Sequence, residues 1–341
     1  MVGRRKTLEI EKRFVFSYGI YIVFAVLVIV YAISSHAFLS LSNIRDIFMN
    51  SSDLLIYVAG LTFVVLTGNI DVSFGSTAFA SVAIGIVLLV NHGVSPVLAI
   101  LVTIAFGMVV GAVNGVLVAY VGIDPLVTTL GMLFFLRGLA LNIIKGSQIE
   151  LPNSVAGVTT ASFAGVPLIV MVAVVILVVL QLLLRKTQFG RHVIAVGCDR
   201  RGAQQVGIRV RRITFITFVL SGTCAGVGGI LAVINIGSVQ SAMGQNALFA
   251  GVAALVVGGT SLFGGLGSVL PGALVGSLLL SATQNGLSVL GVSPYVYPFV
   301  EGLVIIVAMY MDGLKNLRIR GSRSDEFIST QSFATKTLEK E

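Results

Sequence analysis

Long apolar runs, separated by short breaks of Gly, Pro and polar residues, dominate this chain. A helix needs about 20 apolar residues to cross the hydrocarbon core of a bilayer, and the runs approach that length. Their spacing predicts about ten membrane segments, near 15–34, 52–67, 75–91, 95–121, 125–144, 166–184, 213–236, 245–258, 268–287 and 295–311. The expected fold class is therefore an all-α polytopic membrane protein. The 245–258 run is short enough to be re-entrant, a form tolerated only where protein or a cavity covers its backbone. Arg4, Arg5 and Lys6 precede the first run as they would in a secretory signal. The length of that run and the many that follow make it an uncleaved signal-anchor instead.

Composition points the same way. Of 341 residues, 11% are charged and 56% hydrophobic, whereas a soluble domain averages about 25% charged. So little charge cannot clothe a water-facing surface, and the whole chain, 1–341, is read as one membrane domain. The net charge of +8 does not point to nucleic acid, because the charge is not spread over a surface. Nineteen of the 22 Lys and Arg fall in three blocks: residues 4–13, residues 185–212, and the tail after 312. Basic loops stay in the cytoplasm. The three blocks share a side only if even numbers of segments separate them, and the predicted order gives six and then four. The N-terminus (1–14), the 185–212 loop and the tail (312–341) are thus expected in the cytoplasm, and the 35–51 and 145–165 connections outside.

Cys198 and Cys224 have neither metal-ligand nor disulfide spacing, and His36, His92 and His192 are scattered. No metal site is expected. GNIDVSFGS (68–76) and GGTSLFGGLGS (258–268) each close one apolar run and open the next, which hints at an internal repeat. Convergent tight turns explain the likeness as well as duplication does.

No GxxxxGK[ST] phosphate loop occurs, nor any Gly-Lys pair, so the chain is not expected to hydrolyse ATP. Nothing else in it argues for an enzyme. The loop GRHVIAVGCDRRGAQQVGIRVRR (190–212) carries more information. Asp199 is a natural helix N-cap, residues 200–206 make about two turns, and Gly207 is a left-handed stop. A helix so short needs a surface to hold it. On charge alone, an ordinary positive-inside loop accounts for the stretch equally well.

That loop resembles the cytoplasmic loop of sugar-type ABC importer permeases, the family of the bacterial ribose importer's membrane subunit, whose usual form is GR…A·GGN··AA···GI. TGNIDVSFGS (67–76) resembles the family's GGIDLSVGS. The stretches at 111–138, 256–276 and 284–312 also fit, in the family's order. Cys198-Asp199 stands where the family has Gly-Asn, and Glu301 where Lys, Arg or Gln is common. The resemblance implies a permease in the bacterial inner membrane that binds no cofactor itself, with ATP and Mg on a cytoplasmic ABC ATPase subunit. It implies as further partners a second permease copy or sister permease, and a periplasmic or lipid-anchored substrate-binding protein, within membrane lipid. The 199–208 helix would be the coupling helix, with Asp199 as its cap and Ala203, Gln204, Val206, Gly207 and Ile208 docking on the ATPase. Its arginines would meet acidic ATPase residues or lipid headgroups.

A translocated sugar needs hydrogen-bond partners. The candidates along the path are Asp71, Ser73, Asn114, Thr128, Thr129, Asn235, Gln284 and Asn285. For each of them the competing role is an interhelical hydrogen bond worth ~1 kcal/mol. Arg137 and Glu301 fall mid-way along predicted segments, where a charge costs about 2.5–3.5 kcal/mol on the insertion scale. Arg137 is expected to pair with Glu301 or to lie near another acid such as Asp71. Small residues in GTCAGVGGI (222–230) and GALVGSLLL (272–280) should let helices approach closely. An ion-gradient-driven secondary transporter using Asp71, Arg137 and Glu301 is the alternative function, and the amino-acid branch of the same permease family a third. The particular solute is not legible.

Overall fold

The computed structural model describes residues 24–300 together with 302, 303 and 306. The basic blocks at 4–13 and after 312, and Glu301, lie outside the described residues. Twelve α-helices follow one another up to residue 289 among the described residues, and residues 297–300 are helical again. They are α1 (Phe24–Ser34), α2 (Leu41–Leu66), α3 (Phe74–Asn91), α4 (Pro96–Val116), α5 (Pro125–Ile143), α6 (Asn153–Thr160), α7 (Leu168–Lys186), α8 (Gln188–Cys198), α9 (Arg200–Gln205), α10 (Val210–Ile236), α11 (Ala247–Val257) and α12 (Leu274–Val289). Six are long and apolar enough to cross a membrane: α2, α3, α4 with its π-helical extension to Val121, α5, α7 and α10. These match six of the predicted runs, with α2 starting eleven residues before its run. The 245–258 run is an 11-residue helix, α11, only about 17 Å long at 1.5 Å per residue.

Local signals start the helices where the runs begin. Ser95 Oγ accepts from Leu98 N and Asp124 Oδ1 from Leu126 N and Val127 N, each just before a proline at the first helical position. Inside the bundle, α10 packs on α2, α3 and α4. Helices α4 and α10 run antiparallel at backbone contact. A Cβ on Gly111 would lie 2.3 Å from the Phe218 carbonyl oxygen, and one on Gly222 would lie 2.2 Å from that of Gly107. Dispersion between the two backbones replaces the hydrophobic drive that lipid cannot supply. Of the expected small-residue contacts, Gly222 and Gly226 meet α4, and Gly276 sits against the Ala254 carbonyl of α11.

Outward faces are apolar, as a lipid solvent demands: Val97, Leu101 and Val109 on α4, Phe134 and Phe135 on α5, and Val175 and Val179 on α7 are all exposed. Two ends of the bundle can be told apart. At one, the C-terminal end of α8 lies against the end of α2 and the 258–267 turn, where Gly265 N donates to the Leu66 carbonyl at 3.0 Å, and α9 follows directly. The two glycine-rich turns paired in the sequence thus touch each other there. At the other end a short strand, β1 (Ile149–Glu150), pairs antiparallel with β4 (Ser238–Val239), and β2 (Ser162–Phe163) with β3 (Val166–Pro167).

The arginine-rich loop holds one helix more than expected. Before α9 comes α8, capped by Thr187, whose Oγ1 accepts from Gly190 N. Its Phe189 stacks on Phe63 of α2 with ring centroids 6.1 Å apart.

Because the α4–α10 contact tolerates no Cβ, Gly111→Ala and Gly222→Ala are each expected to destabilise the fold by about 1–3 kcal/mol, the usual cost of overpacking. Gly131 has open space around it, so Gly131→Ala should be neutral or stabilising. Thermal midpoints of the purified variants in detergent check the contrast.

Candidate functional site

Between α2 and α3 the backbone leaves helical geometry inside the bundle, and its N–H groups need partners. The sequence supplies them with short side chains. Asp71 is 1% exposed. Its Oδ1 accepts from Ser73 N at 2.9 Å and Ser73 Oγ at 2.7 Å, and its Oδ2 accepts from Ser221 Oγ of α10 at 2.8 Å. Asn114 of α4 donates its Nδ2 to Ser73 Oγ at 2.9 Å. Thr129 of α5 accepts from Val72 N at 3.2 Å. Four of the eight path candidates, Asp71, Ser73, Asn114 and Thr129, therefore form one buried network tying α4, α5 and α10 to the break. Thr128 is buried beside it, its hydroxyl unpaired among the described residues. Their arrangement is that of interhelical glue.

The remaining candidates point elsewhere. A cavity of about 330 Å³ lies between α2, α10, α11 and α12, within the usual size range of small-molecule sites, about 300–1,000 Å³. Helix α2 contributes Asn50, Asp53 and Tyr57; the 240–246 segment contributes Gln240, Gln245 and Asn246; α12 contributes Ser281 and Gln284. Of the path candidates only Gln284 lines it. Asn235 reaches its edge by donating to Asn50 Oδ1 at 2.8 Å, and Asn285 Oδ1 accepts from Asn43 Nδ2 at 2.8 Å. Asp53 is the residue the sequence reading missed. It stands at the first turn of the predicted 52–67 run, but α2 begins at Leu41, so the carboxylate is well inside the helix. With the helix starting at Leu41, Asp53 carries the same kind of insertion cost as Arg137.

Arg137 does not meet Asp71, which hydroxyls hold, and Glu301 lies outside the described residues. Its guanidinium instead donates to the carbonyls of Met243, at 2.5 Å, and Ser241, and sits 4.8 Å from the centre of the Phe79 ring. Backbone acceptors and an aromatic face replace the expected acidic partner, a common solution for an intramembrane cation. The carbonyls belong to the segment that walls the cavity. That segment is strapped down elsewhere as well: Ser241 Oγ donates to the Gly146 carbonyl, and Gly244, at φ +74°, lies against the Gly75 carbonyl where a Cβ would come within 2.3 Å.

At the opposite end of the bundle, α9 forms as read. Asp199 Oδ1 accepts from Arg201 N at 2.9 Å and Gly207 has φ +83°. Gln204, Val206 and Gly207 are exposed and Ile208 is half-buried. Ala203 differs from expectation. It is 5% exposed and packs into the main apolar cluster, so its side chain anchors the helix and is not free to dock.

Residues 43–309 match the model of the family described as the branched-chain amino acid transport system / permease component. The chain belongs to this permease family. It is 32% identical over 309 residues to the autoinducer 2 import system permease protein LsrC of Photorhabdus luminescens, covering 90% of this chain and 92% of that one. It is 36% identical to the LsrC protein of Salmonella typhimurium strain LT2 (81% and 79% covered) and 34% identical to that of Escherichia coli strain K12 (81% and 80%). No solved structure matches the permease. Membership makes the chain a transport subunit of the bacterial cytoplasmic membrane and not an enzyme.

With Arg137 removed, two carbonyls of the cavity wall lose charge-assisted hydrogen bonds, each worth about 1.5–3 kcal/mol. Arg137→Met should lower uptake at least tenfold (about 1.4 kcal/mol of lost positioning) and open the 237–246 segment to protease. Arg137→Lys, which keeps the charge but not the fork, should fall between. Wild-type protease resistance in Arg137→Met would remove the strap from the account.

Proposed function

We propose that this permease is the translocation subunit of an ATP-driven importer for a neutral, polyhydroxylated, sugar-like solute. The cavity lining carries the proposal. Five amides, two hydroxyls and the single carboxylate of Asp53 face it, and none of its described lining residues is cationic. A carboxylate accepts from two vicinal hydroxyls, and amides both donate and accept. An amino acid could set its ammonium against Asp53, but no cationic side chain among the described lining residues is there to receive its carboxylate. The family's description names branched-chain amino acids, but this lining suits a polyol, and the relatives are named for autoinducer 2 import.

Topology follows from charge. The 185–212 loop, with its eight Lys and Arg, faces the cytoplasm by the positive-inside rule, which sets the cavity toward the outer half of the membrane. Ten segments, with both termini cytoplasmic, fit the alternation of helix directions. Energy enters through a cytoplasmic ABC ATPase holding ATP and Mg, which binds α9 and the residues that end it, at Gln204, Val206, Gly207 and Ile208. A second permease copy or sister permease completes the pore, and a binding protein delivers solute from outside. ATP drives the cycle by favouring one of two arrangements of the docked helices through differential contacts.

Proteoliposomes containing the permease with its ATPase and binding protein test this reading. ATP-dependent uptake of labelled autoinducer 2 or ribose is expected, unaffected by excess leucine. Asp53→Ala should cut uptake about tenfold, the loss of one charge-assisted contact, with wild-type expression. Uptake driven by an ion gradient without ATPase would establish the secondary-transporter alternative.

A further inference from the structure

The 258–268 turn closes the end of the bundle that carries α9, and its construction is unlike that of an ordinary link. Its base is buried: Thr260 is 2% and Ser261 7% exposed. Within the turn, Ser261 N donates to the Leu266 carbonyl at 2.8 Å, Gly264 N to the Ser261 carbonyl at 3.2 Å, and Phe263 N to Ser261 Oγ at 3.3 Å. Gly264 and Gly265, both at positive φ, press against Gly68 and Cys198, where a Cβ would come within 2.9 Å and 2.8 Å of their atoms. This rigid frame holds out two large apolar side chains, Phe263 at 81% and Leu266 at 60% exposure. Cys198 immediately precedes the N-cap of α9, and Val206, the C-cap of that helix, is 77% exposed.

We propose that Phe263 and Leu266 form a second docking element for the same ATPase subunit, beside α9. The inference rests on the importer reading given above. Four observations choose this partner. Gly265 contacts Cys198, the last residue of α8 and the one before the α9 cap, which sets the surface next to α9. It lies at the arginine-rich end of the bundle, where Arg200, Arg201 and Arg209 are exposed, so its complement is an apolar socket with an acidic rim. The side chains sit on a backbone already fixed by hydrogen bonds, so ordering them on binding costs little. And an exposed phenylalanine on a rigid turn has the form of an interface anchor.

The second contact also has mechanical sense. The turn joins α11 to α12, and these helices are locked together: a Cβ on Gly276 would lie 1.8 Å from the Ala254 carbonyl oxygen, and one on Gly258 would lie 2.2 Å from that of Gly272. Their far ends, at Ala247 and Ala250 and at Ser281 and Gln284, wall the solute cavity. An ATPase gripping α9 alone would move α10. Gripping Phe263 as well, it would shift the opposite wall directly.

Photo-crosslinking in membranes that contain the complete importer tests the inference, with benzoylphenylalanine placed at position 263 or, separately, at 206. Adducts from both positions to a polypeptide carrying a GxxxxGK[ST] phosphate loop are expected. An adduct from 206 but not from 263 would overturn the second element and leave the importer reading intact, whereas none from either would overturn both. Capture of lipid or of a second permease copy by the probe at 263 would also overturn it. Phe263→Ala should lower ATP-driven uptake about tenfold, a usual loss for truncating an aromatic anchor, while keeping expression and the crosslink from 206. Unchanged uptake would count against the proposal.

Discussion

The carboxylate of Asp71 ties the break between α2 and α3 to α10, and Ser73 carries the link on to Asn114 of α4, at the point where the backbone stops being helical. A bilayer interior offers no water to backbone groups that leave a helix, and each unmet group costs several kcal/mol. The 67–73 break exists because Asp71 accepts from Ser73 N and Thr129 from Val72 N, while Ser221 and Asn114 anchor that cluster to α10 and α4. The break in turn lets α3 start deep in the bundle, with Phe74 against Tyr57 of α2 at 5.8 Å. Tyr57 is a wall of the cavity, so the polar network supports the site without belonging to it.

Glycine does the complementary work. The α4–α10 and α11–α12 contacts bring backbones together where no side chain fits. Dispersion and complementary shape hold such pairs in lipid, and they move as rigid units because neither has room to slip. The cavity therefore lies between well-defined walls, α2 and α10 facing the α11–α12 pair, with the 240–246 segment held across its end by Arg137. Transport requires the walls to move relative to each other. The rigidity within each wall makes that a displacement of whole units.

Ser221 and Gly222, neighbours on α10, show how closely the two principles are interleaved. One holds the carboxylate of the break and the next accommodates the α4 backbone. Polar satisfaction and close packing are thus met by consecutive residues of one helix, which explains why α10 is central and largely buried despite its length.

Much of this was legible along the chain. Six membrane helices, the Asp199 cap, the Gly207 stop and the small-residue contacts of α10 and α12 follow from local chemistry: apolar length, capping side chains and the absence of a Cβ. Family membership was readable from motifs in order. The site was not. Asp71, Ser73, Asn114 and Thr129 look like solute ligands in sequence because they are polar residues in apolar surroundings, and that signal is identical for a buried hydrogen-bond network and a transport path. Arg137 looked in need of an acid, yet carbonyls from a segment a hundred residues away serve it. Ala203 looked like a docking residue, and packing turned it inward. Local sequence determined where helices start, stop and can touch. Which polar side chains face a cavity and which face one another depends on the rotation and pairing of helices distant in the chain, and only the tertiary structure decided that.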